Sequence, residues 1–269
     1  MARTYGIDIS EHNGLYLPAP TPPTPVDYVI QRTSYVGYGS LAFTKDAKID
    51  VNAPPTLASP VSGAYHYVAS YTPWKAQADS FISVMKGRYD IWAWDVEKTN
   101  NTNASAFISG IVPALEYIYN ATKKPGLIYI NPDTWATWLQ PVQNDIIAIL
   151  ARTDIKIGMW VAHYWNTPAP EKEPNYYTIG GCANMPRDWR FWQYAADATS
   201  PLGKSYGVQS TTIDLNVFNG TKEELLKWAL PGEIIITPPV EPPVVIDPPV
   251  EGSYMNTLDV KYVGCINVP

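Results

Sequence analysis

Short apolar runs, rich in β-branched and aromatic residues, recur along the chain and alternate with longer segments of helical periodicity. Runs of this kind between polar or turn-forming residues predict β-strands. The eight predicted strands are Tyr5–Ile9, Tyr28–Thr33, Gly63–Val68, Ile91–Glu97, Leu127–Ile130, Ile157–Tyr164, Phe191–Tyr194 and Thr212–Leu215. The predicted helices are Trp74–Lys86, Ala104–Ala121, Thr134–Leu150 and Lys222–Ala229.

This alternation predicts an α/β fold with a parallel or mostly parallel sheet. Eight strands favour an irregular TIM-like (β/α) barrel with an incomplete set of helices. The set is incomplete because Leu17–Pro25 is too rich in proline for a helix interior. Trp165–Arg190 contains several proline and glycine residues and predicts a long loop. A doubly wound open sheet is the alternative fold.

The composition changes after Leu230, and this change predicts the domain boundaries. Residues 1–230 have the length of one barrel domain. Residues 231–251 contain three Pro-Pro pairs, which are typical of a semi-rigid polyproline linker. Residues 252–269 are expected to form a short C-terminal tail, either a strand pair or the stub of a further module.

Charge and composition argue against several classes of protein. A net charge of −6 disfavours a nucleic-acid partner. No window approaches the roughly 18 apolar residues of a membrane span, and the first residues run straight into a predicted strand, so no signal peptide is expected. Cys182 and Cys265 are far apart and the histidines lack metal-ligand spacing, so no cofactor or metal is expected. Ten Trp and nineteen Tyr would suit either sugar stacking or a Trp-rich core.

The candidate chemistry lies in four acidic residues on the predicted strands. Asp95 and Glu97 end the fourth strand two positions apart, so both side chains project to one face. Asp8 ends the first strand, and Asp214 lies in the last, which neighbours the first in a closed barrel. Because burying like charges together raises the pKa of a carboxyl, one acid is expected to keep its proton beside an ionised one. Glycoside hydrolysis requires such a pair.

Each acid also has a structural interpretation. Asp8 and Asp214 could be helix N-caps or turn residues, and Asp95 with Glu97 could form an exposed edge-strand face. A cluster of carboxylate oxygens would also suit Mg²⁺ or Ca²⁺, although no phosphate-binding glycine loop accompanies it. Four acids at the ends of three apolar strands favour the catalytic interpretation without a metal.

Several motifs on the predicted strands carry a further signal, and they are Gly6–Gly14, Gly63–Tyr67, Trp94–Glu97, Ile128–Tyr129, Trp160–Tyr164, Phe191–Tyr194 and Asp214–Phe218. Together they resemble glycoside hydrolase family 25, the Chalaropsis-type lysozymes. They occur in the family's order over about residues 4–230. The resemblance implies a catalytic barrel with N-acetylmuramidase activity, which cuts the β-1,4 bond between N-acetylmuramic acid and N-acetylglucosamine in peptidoglycan.

The resemblance also implies roles for the acids. Glu97 would be the general acid, and Asp95 would stabilise the transition state directly, act as nucleophile or orient the substrate's acetamido group. Asp8 and Asp214 would be supporting carboxylates. The residues expected to contact the glycan from strand ends are Tyr65, Tyr67, Tyr129, Asn131, Trp160, Tyr164, Gln193 and Asn216. Any of these could instead fill the layers of the barrel, and Asn216 could hold the carboxylate of Asp214.

The predicted function is therefore a lysozyme of phage-endolysin or wall-lytic type. Its expected partner is bacterial peptidoglycan, outside the cell or in the wall, reached by lysis or another route. The C-terminal tail would provide a wall-binding or virion contact. A catalytically silent glycan-binding barrel and a glycosidase of another aminosugar polymer, such as chitin, are the alternatives.

Three segments depart from the family pattern. Leu17–Pro25 replaces a short helical crossover, Gln31–Gly37 lacks the acidic-glycine ending, and Trp165–Arg190 is longer than usual. All three bear on substrate fit more than on chemistry.

Overall fold

The computed structural model describes residues 2–36, 42–69, 72–97, 104–165 and 167–232. The strands in this part of the chain are β1 (Thr4–Ile9), β2 (Tyr28–Val36), β3 (Phe43–Lys45), β4 (Val61–Tyr67), β5 (Ile91–Val96), β6 (Gly126–Ile130), β7 (Ile157–Ala162), β8 (Trp189–Ala195) and β9 (Asp214–Phe218). The α-helices are α1 (Ile49–Leu57), α2 (Trp74–Met85), α3 (Ala104–Thr122), α4 (Pro132–Thr137), α5 (Gln143–Leu150), α6 (Gly203–Tyr206) and α7 (Lys222–Ala229).

Eight of these strands close into a barrel, in the order β1, β2, β4, β5, β6, β7, β8, β9 and back to β1. The closure confirms the predicted TIM-like barrel and excludes the open sheet, because β1 pairs with both β2 and β9. The short β3 pairs antiparallel with the end of β2 and extends the sheet there. The neighbouring pairs in the barrel run parallel except the two that involve β9.

The reversed direction of β9 changes how Asp214 reaches the site. Asp214 begins β9, whereas the sequence pattern placed it near the end of a mostly parallel strand. Because β9 runs antiparallel to β1, its first residue lies at the rim where β1 ends. Asp8 and Asp214 are direct partners in the β1–β9 register, so the expected proximity of these two acids is met by a reversed strand.

The barrel interior is filled by alternate residues of the strands. This inner cluster includes Tyr28, Ile30, Val61, Ile91, Ala93, Leu127, Phe191 and Phe218. Leu225 and Ala229 of α7 join it and close the end of the barrel opposite Asp8. Gly6 of β1 lies against the Tyr28 ring, where an added Cβ would come within 2.4 Å of a ring carbon. A larger residue there would force the core apart.

Three helical segments differ from the prediction, one of which is the short, unpredicted α6. The predicted helix Thr134–Leu150 is divided into α4, a 3₁₀ turn at Gln140–Val142 and α5, since Pro141 cannot donate the hydrogen bond that a continuous helix needs. Helix α1 was not predicted, because its Pro54-Pro55 pair is typical of a loop. Burial of its inward-facing side chains outweighs that local preference.

The two long loops contain little regular structure. In the described part of Trp165–Arg190, a 3₁₀ turn at Tyr176–Thr178 precedes the start of β8 at Trp189. Leu17–Pro25 contains neither helix nor strand, and the adjacent Tyr16 forms an isolated bridge with Val208. The predicted linker and tail, and Cys265 with them, lie outside the described residues apart from residues 231 and 232. Among the described helices, none combines the length and the apolar character needed to cross a membrane.

Candidate active site

A cavity of ≈190 Å³ opens at the barrel rim formed by the ends of the parallel strands. Its lining residues are Asp8, Tyr65, Asp95, Glu97, Tyr129, Trp160, Tyr164, Gln193, Ala196, Asp197 and Asp214. The four acids predicted from the sequence thus face one cavity, together with most of the predicted sugar contacts. Within the described residues, no group of three or more His, Cys, Asp or Glu side chains is arranged to hold a metal ion.

The alternation of β5 places the acid pair. Ile91 and Ala93 belong to the cluster inside the barrel. Asp95 continues their face at the end of the strand, and Glu97 follows one residue after β5 ends at Val96. The apolar part of the strand therefore anchors the two carboxyls at the mouth of the barrel, where they are largely removed from water.

Asp8 is held by two side-chain amides. Gln193 Nε2 and Asn216 Nδ2 donate to Asp8 Oδ2 at 2.8 and 2.7 Å. Burial raises the pKa of Asp8 to about 6, although these two bonds and a bond from Asp214 oppose the shift. Asp8 is therefore ionised above that pH and surrounded by donors that favour its charge.

Asp214 keeps its proton beside Asp8. Burial raises the pKa of Asp214 well above its ordinary value, and the charges of Asp8 and Asp197 add to the effect. The hydrogen bond between the two carboxyls raises the pKa of Asp214 and lowers the pKa of Asp8. Asp214 is thus the donor and Asp8 the charged acceptor.

The pKa values of Asp95 and Glu97 are both raised. Burial raises the pKa of Asp95 well above its ordinary value, the charges of Glu97 and Asp8 raise it further, and Arg32 opposes them. Burial also raises the pKa of Glu97, as does the charge of Asp8, while the nearby Tyr129 hydroxyl opposes the shift. Because the two carboxyls are close enough for the charge of Glu97 to raise the pKa of Asp95, their titrations are linked.

A second set of hydrogen bonds fixes the amides that hold Asp8. Tyr129 Oη donates to Gln193 Oε1 at 2.8 Å, and Tyr164 Oη donates to the same oxygen. Trp160 Nε1 donates to Asn216 Oδ1 at 2.9 Å. Because each amide oxygen is occupied by these donors, each amide nitrogen is directed to Asp8. Asn216 therefore holds Asp8, and not Asp214 as the sequence suggested.

The remaining predicted sugar contacts lie at different depths. Asn216 is fully buried beneath the cavity, whereas Gln193 lines it. Asn131 accepts a hydrogen bond from the Thr134 amide at 2.8 Å and caps α4, beside a neighbouring groove. Tyr67 is half-buried at the end of β4, opposite Asp95 in the strand register. Contact of these residues with sugar stays a prediction.

Sequence reasoning missed Asp197. It lines the cavity beside Asp214 with a positive φ of 45°, which is uncommon for a residue with a side chain. The only sequence signal was an acid placed directly after a buried strand.

Arg32 was also missed. Its Nε lies 2.8 Å from Asp46 Oδ2, and its Nη2 lies 2.9 Å from Glu11 Oε1, in a nearly buried position. The alternation of β2 places Arg32 on the same face as Tyr28 and Ile30. That alternation could have identified Arg32 as a charged residue on the inner face of the barrel. Its positive charge lowers the pKa of Asp95 and partly offsets the negative charge of the carboxylates in the cavity.

The raised pKa of Asp8 predicts a pH-dependent gain in stability on neutralising this residue. A carboxyl whose pKa is about 6 in the folded state and 3.8 otherwise stabilises the fold at low pH. That contribution is lost as pH rises through about 6. Asp8→Asn should therefore be more stable than the wild type at pH 7.5, by up to about 3 kcal/mol, with the difference vanishing near pH 4. Denaturant titrations at the two pH values would measure it. An Asn variant that is less stable at pH 7.5 would contradict the prediction.

Residues 7–201 match the family model of glycosyl hydrolases family 25. The chain belongs to that family. This confirms the family inferred from the ordered motifs, and the match includes Asp8, Asp95 and Glu97. Asp214 lies beyond the matched residues, and its place in the cavity comes from the register of β9 with β1.

The solved structures of similar fold include two bacterial proteins. A lysozyme from Streptomyces coelicolor is 22% identical, with a TM-score of 0.63 over 85% of this chain and 98% of that chain. The spore cortex lytic enzyme SleM from Clostridium perfringens is 18% identical, with a TM-score of 0.54 over 82% of this family 25 chain and 69% of SleM. At these identities the likeness establishes a shared fold.

Curated relatives are also found in Escherichia coli. The YegX proteins of the O157:H7 and K12 strains are 28% identical to this chain over 166 residues. The aligned region covers 61% of this chain and 50% of each relative. The chain therefore spans about half the length of the curated relatives it matches.

Proposed function

We propose that this family 25 chain is a peptidoglycan hydrolase, a muramidase that cleaves the β-1,4 bond between N-acetylmuramic acid and N-acetylglucosamine. One observation carries the proposal: Asp95 and Glu97 face one rim cavity together with Asp8 and Asp214. Two proteins of similar fold support a wall substrate, since one is named a bacterial lysozyme and the other a spore cortex lytic enzyme.

In the proposed reaction Glu97 gives a proton to the oxygen of the leaving sugar. A general acid must hold its proton near the working pH, and burial with the charge of Asp8 raises the pKa of Glu97 in that direction. As the bond breaks, positive charge develops on the ring of the other sugar. Asp95 lies beside it as the nearest stabilising carboxylate.

Asp8 contributes a fixed negative charge to the same cavity. Its donors Gln193 and Asn216 are already in place, so they need no reorganisation when the sugar ring becomes positive. A preorganised charge in a site that excludes water is worth more than the same charge in solvent. Asp8 would thus stabilise the transition state electrostatically and help Glu97 retain its proton.

The products of wall digestion test the proposal. Purified cell walls treated with the wild-type chain should release fragments with N-acetylmuramic acid at the new reducing ends, identified by borohydride reduction and mass analysis. Reducing ends of N-acetylglucosamine, or new amino termini, would contradict the assignment. Walls that bind the chain but release nothing would indicate a glycan-binding barrel.

We propose that the enzyme meets its substrate in the bacterial wall, as a phage endolysin or wall-lytic enzyme reached by lysis or another route. Residues 233–269 lie outside the described part of the chain, and their Pro-rich composition favours a spacer to a wall or virion contact. The wall assay can include a chain ending at residue 232. Equal sedimentation of both chains with walls would argue against a targeting role for the tail.

A further inference from the structure

A groove of ≈670 Å³ adjoins the acidic cavity. Three residues line both spaces, namely Glu97, Tyr129 and Tyr164. The other walls are α4, the end of β7 and the loop between β7 and β8. Thr137 is the last residue of α4, and Ile179 lies in that loop. The groove is therefore continuous with the acidic cavity, and Glu97 lies at their junction.

The distribution of the acids assigns the two spaces to different parts of a bound glycan. The acidic cavity is lined by five carboxyl groups, and among them Glu97 alone also lines the groove. A general acid must reach the oxygen of the leaving sugar, whereas the sugar that becomes positive must lie beside the other carboxylates. The cleaved bond would thus lie at Glu97. The positive sugar would occupy the acidic cavity, and the leaving sugar would point into the groove.

The groove also has the surface that a sugar face needs. The described residues include four large apolar side chains that are exposed, and two of them, Tyr164 at 45% and Ile179 at 39%, line this groove. Exposed apolar groups gathered at a cleft mark a binding surface, and a pyranose ring has an apolar face that packs on such groups. Asp133 adds a hydrogen-bond acceptor for sugar hydroxyls.

We propose that this groove binds the leaving-group half of the glycan, with Ile179 as a specificity residue supplied by the long β7–β8 loop. The inference rests on the proposed function, because it takes Glu97 as the general acid. It assigns a direction to the glycan, whose newly formed reducing end lies in the acidic cavity and whose released end leaves along the groove. The Trp165–Arg190 segment, longer than the family pattern, would then set how the released half is held.

Two substrates distinguish an effect on glycan binding in the groove from an effect on the chemical step. The first is a peptide-free peptidoglycan glycan that extends to both sides of the cleaved bond. The second is a GlcNAc–MurNAc disaccharide with a small aryl leaving group, which leaves most of the groove empty. The variants are Ile179→Ser and Thr137→Trp, which remove and obstruct groove surface. The matched control is Val51→Ser, since Val51 is another exposed apolar residue, on α1 away from the groove.

The groove variants should lower kcat/KM for the extended glycan at least tenfold, chiefly through KM, and change the aryl disaccharide by less than twofold. The control should match the wild type on both. Equal loss on both substrates, or no loss on either, would overturn the groove assignment. Intact peptidoglycan, measured as a third substrate, covers the remaining case: a loss on it alone would overturn the assignment as well, because the groove would then bind the stem peptide. A wild type that hydrolyses neither substrate would refute the proposed function itself.

Discussion

Glu97→Gln is expected to slow the clearing of purified walls by roughly 10²–10⁴-fold, the usual contribution of a general acid. Glutamine preserves the shape of the side chain at the cavity mouth but has no proton of suitable acidity to give. The contact with the Tyr129 hydroxyl can persist, so binding and folding should change little. Turbidity of a wall suspension measures the rate, and sedimentation with walls measures binding.

A substrate with a good leaving group distinguishes acid catalysis from structural damage. A glycoside with a dinitrophenyl leaving group needs little protonation of its leaving oxygen. Glu97→Gln should therefore slow hydrolysis of that glycoside far less than it slows wall hydrolysis. Glu116→Gln is the matched control, because Glu116 lies on the surface of α3 in an ion pair with Arg152. An equal loss of rate on both substrates would show that Glu97 is not the general acid.

The pair at the end of β5 shows how much of the site local sequence can determine. Two acids at positions i and i+2 after an apolar run must leave the strand on one face, and the structure places Asp95 and Glu97 in one cavity. Side-chain alternation is a property of the strand itself, so it can be predicted without knowing which strands lie beside it. The same reasoning identified Asp8, because the register of a short buried strand is fixed by its apolar residues.

Long-range pairing limits what the sequence can predict. The direction of β9 depends on its two neighbours, so the pattern identified a strand but not its reversal. Asn216 and Asp214 share a face of β9, which suggested a bond between them. The register instead sets Asp8 within reach of the Asn216 amide. Asp197 was missed because its position depends on a left-handed backbone after β8, which no periodicity predicts.

An unpartnered oxygen links the structure of the acid pair to its chemistry. Asp95 Oδ1 is buried, and among the described residues no group donates to it. A buried acceptor without a donor is costly, and an acetamido N–H of the substrate could fill that position. A donor to Asp95 would favour its ionised form. Substrate binding would therefore lower the pKa of Asp95 and favour the state in which Asp95 is ionised and Glu97 is protonated, which the reaction needs.

Asp95→Asn is expected to lower kcat on peptidoglycan glycan by about 10²–10³-fold, since the positive sugar loses its nearest charge. The alkaline limb of the pH profile should also move to lower pH. The charge of Glu97 raises the pKa of Asp95, and because such repulsion acts on both groups, an Asp95 that is ionised in the complex would raise the pKa of Glu97. Removing the charge of Asp95 should therefore lower the pKa of Glu97. Glu97 then loses its proton at lower pH. Rates measured from pH 4 to 9 would show the shift, with the exposed Asp145→Asn as control.

Two outcomes would change the role of Asp95. An alkaline limb at the wild-type position would mean that Asp95 carries no charge beside Glu97 in the complex, and the state with an ionised Asp95 and a protonated Glu97 would be excluded. A glycosyl ester on Asp95, trapped with a slow fluorosugar substrate and found by mass analysis, would make this residue a nucleophile. Failure to trap an ester, together with slower hydrolysis of N-trifluoroacetyl glycans, would support attack by the substrate's own acetamido group. Asp95 would then orient that group, because its unpartnered oxygen can accept the acetamido N–H and hold the carbonyl towards the breaking bond.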